Sequence, residues 1–217
     1  MAITIKTLED IEKLKIGGER LSSILTRLEK EVVPGVSTDT LNTMAEEMVN
    51  EYGDTNAFKG YRPEGAARPF PSSLIVSIND EIVHGISNEN PTIIKDGDVV
   101  SIDMGIKHDG MIVDSARTVI AGKGDKQKSN LLTATYEALH AGIAAARGGG
   151  DVGDIGFSIQ NIARKYKVGI AEGLAGHGVG YEVHEDPYIP NKGKRGTGDK
   201  LVPGMVIAIE PMFTTGK

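Results

Sequence analysis

One motif, repeated at a fixed distance, narrows what this 217-residue chain can fold into more than any other feature. Asp96-Gly97-Asp98-Val99-Val100-Ser101-Ile102-Asp103 lines up with Pro203-Gly204-Met205-Val206-Ile207-Ala208-Ile209-Glu210 at a constant offset of 107 residues. Gly97 matches Gly204, Val99 matches Val206 and Ile102 matches Ile209, and each segment ends in a carboxylate. His84-Gly85 in the first half is echoed by His177-Gly178 in the second. Short apolar runs behind a glycine read as strands. A carboxylate inside such a strand loses hydration and needs a partner or a metal. The repeat therefore predicts two homologous halves about a pseudo-twofold axis, each bringing acid and imidazole to one site.

The order of predicted elements supports the repeat. Ile11, Leu14, Leu21, Ile24, Leu25 and Leu28 fall on one face of a 3.6-residue period, which predicts a helix from Thr7 to Val33, weakened by Gly17-Gly18. A second helix is expected from about Thr38 to Tyr52, then a proline- and glycine-rich loop from Lys59 to Ser73. Strands are expected at Ser73–Ile78, Glu81–Val83 and Asp98–Ile106. Lys107-His108-Asp109-Gly110 is read as a turn, and Met111–Ile120 as the returning strand. After a charged linker from Gly122 to Asn130, helices are predicted at Leu131–Arg147 and Val152–Lys165, and strands at Val168–Leu174, Val179–Val183 and Val202–Met212. The sequence thus reads helix, helix, strands, twice over.

Composition excludes several functions. With 24 Lys and Arg against 30 Asp and Glu, the net charge is −6, which argues against a protein held to nucleic acid by phosphate contacts. No apolar run approaches the ~20 residues of a membrane span, and Met1 to Lys6 lacks the apolar stretch of a secretory signal. The expectation is a cytoplasmic protein without membrane contact. The absence of cysteine removes disulfides, thiolate metal sites and Cys nucleophiles, so any metal must be held by His, Asp and Glu. The 28 glycines imply many tight turns and close backbone approaches.

Asp103, Asp114 and Glu210 are three carboxylates in expected buried strands. With the turn centred on His108 and Asp109, Asp103 and Asp114 are predicted to lie nearly opposite across the hairpin, where like charges repel unless a cation lies between them. His177 lies in Gly176-His177-Gly178-Val179-Gly180, His184 precedes Glu185-Asp186-Pro187, and His84 closes an expected strand. His108 and His140 are read as structural. Carboxylates with one imidazole suit Mn(II), Fe(II), Co(II) or Zn(II), and no Gly-x-Ser-x-Gly elbow offers a nucleophile instead.

Ser101-Ile102-Asp103-Met104-Gly105, Val113-Asp114-Ser115-Ala116-Arg117-Thr118, Gly176-His177-Gly178-Val179-Gly180, Val183-His184-Glu185-Asp186-Pro187 and Ile209-Glu210-Pro211-Met212 resemble the motifs of type I methionine aminopeptidases. The likeness runs over essentially the whole chain, and the intervals of 11, 63 and 33 residues between Asp103, Asp114, His177 and Glu210 resemble those of bacterial members. It implies the α+β pita-bread fold of that metallopeptidase family, with two pseudo-symmetric αα-plus-antiparallel-sheet halves around a central metal site. A single catalytic domain over 1–217 is expected, with halves at about 1–121 and 127–217.

The resemblance implies removal of the initiator methionine from nascent chains by a metal-bound water. Asp103 would chelate one of two divalent ions (Co, Mn, Fe or Zn), Asp114 would bridge both, and His177 and Glu210 would hold the other. His184 would stabilise the carbonyl oxygen, and His84 would contact substrate near the scissile bond. Phe58, Tyr61, Ile75 and Val183 would fall near the methionine pocket, with Arg62 to Phe70 a loop extension. N-terminal Met peptides would be the partners, with ribosome contact expected of the family and a monomer as the working form. The family's fifth ligand, a bridging Glu on a later strand, falls beyond Lys217. The expectation is therefore an incomplete second half, a paired metal site weakened by the loss of its second bridge, and reduced or no activity. A prolidase-type Xaa-Pro peptidase and a non-catalytic binding protein on the same fold are the alternatives.

Overall fold

The computed structural model describes residues 3–63 and 65–216; Glu64, in the expected Lys59–Ser73 loop, lies outside the described residues, as do Met1, Ala2 and Lys217. The chain separates into two compact units. One comprises residues 10–125 with 181–183, the other residues 3–9, 126–180 and 184–216.

The first unit carries α1 (Leu8–Glu31) from Asp10 onward, α2 (Thr38–Glu51) and an antiparallel sheet of β1 (Thr55–Asn56), β2 (Ile75–Ile78), β3 (Val99–His108) and β4 (Met111–Ile120). β3 is the spine: β1 and β2 share one of its edges, and β4 runs along the other. Alternation on β3 divides its faces. Val100, Ile102, Met104 and Ile106 are fully buried in one core with Leu21, Ile24, Leu25 and Leu28 of α1 and Leu41 and Ala45 of α2. Ser101, Asp103 and Gly105 lie on the opposite face. α1 runs unbroken through Gly17-Gly18 because Gly17 sits where a Cβ would lie only 3.3 Å from His108 Cβ, so the missing side chain lets helix and sheet close.

The second unit repeats the pattern with α3 (Lys126–Ala145) and α4 (Val152–Tyr166), whose Ala134, Ala138, Ile155 and Ile159 form the core with Ile189 and Phe213. A reciprocal capping box between Asp151 and Asp154 starts α4. Its strands are short: β5 (Gly169–Ile170) pairs with β8 (Phe213–Thr214), and β6 (Gly176–Gly178) pairs with β7 (Glu185–Ile189).

Several expectations are corrected. Glu81–Val83 is not a strand; the chain turns there, with Asn79 and His84 both in the left-handed region (φ 57° and 62°). The Val202–Met212 segment contributes a single bridge, Ile207 to Gly178, before β8, because Pro203, Gly204 and Pro211 interrupt its ladder. Val179–Val183 is a loop, and the true strand lies at Glu185–Ile189, among charges and a proline that conceal it in the sequence. Val168–Leu174 shortens to β5, and α3 starts inside the expected linker, at Lys126.

Candidate metal centre

The β3–β4 hairpin turns through two residues, Asp109 (φ 45°) and Gly110 (φ 86°), and positive φ at both positions matches the strand twist. His108 pairs with Met111, so the turn is centred one residue later than expected and every pairing shifts by two. Asp103 therefore faces Ala116, and Asp114 faces Gly105. The two acids are diagonal neighbours on one face, not directly opposed, and both are half-buried.

That face also carries two of the expected pocket residues, Ile75 and Phe58. Ile75 pairs with Asp103 and is 6% exposed. Phe58 fills the space above Gly105, where a Cβ would lie 2.8 Å from the ring edge. Val183 is buried, and Tyr61 has its hydroxyl pushed above the usual phenol range by burial first and by the charge of Glu182 second. The Arg62–Phe70 extension is tied at its base, where Gly60 N–H donates to Phe70 O and Phe70 N–H donates to Tyr61 O, each at 2.8 Å. His84 lies on the turn that returns to β2 and borders a cavity of about 480 Å³ with Asp80, Glu81 and Thr38.

In the other unit, glycine decides how His177 is presented. A Cβ at Gly176 would lie 2.1 Å from Ala208 O, and one at Gly178 would lie 2.3 Å from Asp186 O. Only bare backbone allows the 206–208 segment and β7 to approach β6 from its two sides. His177 N–H donates to Ala208 O at 3.2 Å, and Ala208 N–H donates back to His177 O at 2.7 Å. Two residues on, Glu210 is held by Asn191 Nδ2, which donates to its backbone carbonyl at 2.7 Å. His184 enters from the start of β7 and meets His177 edge-to-face, ring centroids 4.5 Å apart. Contrary to expectation, Glu210 is neither fully buried nor in a strand; its side chain is 38% exposed.

The orientation of His177 follows from one contact. Its Nδ1 lies 2.8 Å from Gly178 O, which can only accept, so Nδ1 is a donor and the ring is held with Nε2 toward Glu210. Nε2 stands 3.0 Å from Glu210 Oε1, a buried oxygen that receives no hydrogen bond. An imidazole nitrogen and a carboxylate oxygen so close need a positive charge, carried by a second ring proton or by a bound cation. One imidazole nitrogen and one carboxylate oxygen suit a borderline divalent ion, and an Nδ1–H bonded to a backbone carbonyl is how a ligating histidine is usually oriented. These residues fit a metal.

The two histidines read as structural have contacts of their own. His108 is buried and donates from Nδ1 to Asp54 Oδ1 at 2.8 Å, and His140 is an exposed residue of α3 edge-on to Tyr136. The residues that sequence reasoning missed are Asn191 and the ion pair of Lys6 with Glu185; neither has a sequence signal, because each acts on a residue distant in the chain.

Two units of paired helices and antiparallel strands, one of them bringing an imidazole and a carboxylate to within 3.0 Å, present a candidate metal centre. The chain belongs to metallopeptidase family M24, which matches residues 12–217. It is 43% identical to the methionine aminopeptidase of Aquifex aeolicus, over the whole of this chain and 84% of that protein. The crystal structure of the methionine aminopeptidase from Thermotoga maritima superposes with a TM-score of 0.93 at 37% identity, covering 99% of this chain and 84% of that one. A prolidase from Pyrococcus furiosus is more distant, at 25% identity and a TM-score of 0.80, with 95% of this chain and 57% of that one covered. Family membership carries divalent-metal binding with it. Among the described residues, no helix is long and apolar enough to cross a membrane.

Proposed function

We propose that this metallopeptidase is a methionine aminopeptidase that releases the initiator methionine from nascent chains. The observation that carries the metal-dependent part is the facing pair of His177 Nε2 and Glu210 Oε1, an imidazole nitrogen and a buried carboxylate oxygen 3.0 Å apart. Asp103 and Asp114 would complete the ligand set from the β3–β4 hairpin. The family reading implies two ions, Co, Mn, Fe or Zn. A bound divalent ion supplies Lewis acidity and a water activated for attack near neutral pH.

The protein's own groups do the rest. The His184 imidazole, beside His177, would donate a hydrogen bond to the substrate carbonyl oxygen as negative charge develops there. His84 would hold the substrate backbone near the scissile amide. Phe58, Ile75, Val183 and the ring of Tyr61 would exclude water around the methionine side chain, which gains from apolar and aromatic contact. On this reading residues 1–217 form one catalytic domain, halved at about 121–127, that works as a cytoplasmic monomer on chains leaving the ribosome.

The test is release of the N-terminal residue from Met-Ala-Ser, with Gly-Pro-Ala as control, followed by mass spectrometry with Mn(II) or Co(II) and again with chelator. Metal-dependent release of Met alone supports the reading. Release from the proline peptide alone favours an Xaa-Pro peptidase, and metal binding without release from either favours a binding protein on the same fold.

A further inference from the structure

The unit that holds His177 and His184 contains a buried charge pair with no part in the chemistry above. Lys6 is 4% exposed and Glu185 5%, and Lys6 Nζ lies 2.5 Å from Glu185 Oε2. Thr4 Oγ1 donates to the same carboxylate oxygen and accepts from Lys6 Nζ. The backbone is tied on both sides: Ile3 bridges in parallel to Asp186, and Lys6 N–H donates to Gly204 O at 2.8 Å. Residues 3–6 thus fasten the start of β7 to the turn that leads toward Glu210.

Stability alone does not account for this arrangement. Removing two charges from water is costly, and an apolar pair of similar volume would hold the segment as well. What the ion pair adds is direction, since a carboxylate bonded by both an ammonium and a hydroxyl has little freedom left. Glu185 is also the residue of β7 that pairs with Gly178, and it directly follows His184.

We propose that Lys6 is a positioning residue: by holding Glu185 it fixes the adjoining backbone, and so sets the His184 imidazole in its edge-to-face place against His177. The proposal rests on the reading of His184 as the partner of the substrate carbonyl oxygen. A displacement of about 1 Å at such a group costs on the order of a hundredfold in rate.

The experiment is a mutant cycle in the full chain. Lys6→Met/Glu185→Gln removes both charges together and avoids stranding one of them, and His184→Ala is made alone and in combination. Met release from Met-Ala-Ser with Mn(II) is resolved into kcat and KM, and the His184 ring resonances are followed by NMR without added metal. The expected result is a kcat lower by about 10- to 100-fold with KM little changed, a shifted His184 resonance, and no further loss once His184 is alanine. Equal losses on both backgrounds, or an unmoved resonance, would overturn the proposal while leaving the role of His184 intact. His184→Ala at the parental rate would overturn the reading of His184, and the proposal with it. If the charge-free pair fails to fold, Thr4→Val, which removes only the hydroxyl donor, is carried through the same cycle with the same criteria.

Discussion

His177 Nε2 and Glu210 Oε1 lie 3.0 Å apart, and Nδ1 of the same ring donates to Gly178 O. The contact demands a positive charge, on the ring or as a bound cation. The backbone sets the ring's orientation.

Replacing either partner removes that demand. His177→Ala and Glu210→Gln are each expected to lose metal on dialysis and to lose Met release by more than the roughly 10–100-fold typical of groups outside the ligand shell. Metal analysis after dialysis, together with kcat/KM before and after Mn(II) is restored, checks this. Retention of metal by both variants would remove the pair from the ligand set.

Gly176→Ala tests the close approach that presents His177. Its Cβ would lie 2.1 Å from Ala208 O, so β6 and the 206–208 segment must part. A loss of about 1–3 kcal/mol is expected in chemical denaturation. Gly148→Ala, whose Cβ meets nothing within 4 Å, serves as the control and is expected to stay within about 0.5 kcal/mol of the parent.

His108→Ala separates structure from chemistry. Asp54 Oδ1 accepts from both His108 Nδ1 and Arg20 Nη1, at 2.8 and 2.9 Å, and Asp54 Oδ2 is already buried without a partner. Loss of the imidazole donor should cost about 1–3 kcal/mol of stability. Peptide turnover at a temperature where the variant is folded should match the parent, and a selective loss of kcat would contradict the structural assignment.

Glu46 predicts an acid-side dependence of stability. Its carboxyl is held below the usual range chiefly by the hydrogen bond from Lys59, helped by those from Ser73 and Asn42 and opposed by partial burial. With the folded-state pKa depressed, the unfolded chain binds more protons over the interval between the two values, so stability rises with pH through it. The contribution is present above the ordinary carboxylate pKa and lost as pH falls through the folded value. Because the pair is partly exposed, it should be below about 1 kcal/mol. Urea unfolding from neutral pH to below the carboxylate range should show a shallower acid limb for Glu46→Gln.

The sequence and the structure agree where the governing interactions are local. α1, α2 and α4 lie within about two residues of their expected bounds, because apolar spacing along a helix is set by neighbours three and four residues away. Met111–Ile120 was placed to the residue. The hairpin register differs from the expected one by two residues, although Asp109-Gly110 is itself the strong signal for a two-residue turn, and centring the turn there places Asp103 against Ala116 at once.

The offset repeat, the periodic helices and the lack of cysteine were sufficient to establish two αα-plus-strand units and to leave His, Asp and Glu as the candidate metal ligands, since each of these is a property of short stretches of chain. The short strands around the site depended on distant partners. β7 forms from Glu185-Asp186-Pro187-Tyr188-Ile189 because Lys6, 179 residues away, neutralises Glu185 in the interior, and because Gly178 offers it bare backbone. The approach of His177 Nε2 to Glu210 Oε1 likewise arises only when residues 33 apart are folded together. Local pattern records which side chain can be buried; which charge can be buried depends on the partner that folding brings to it.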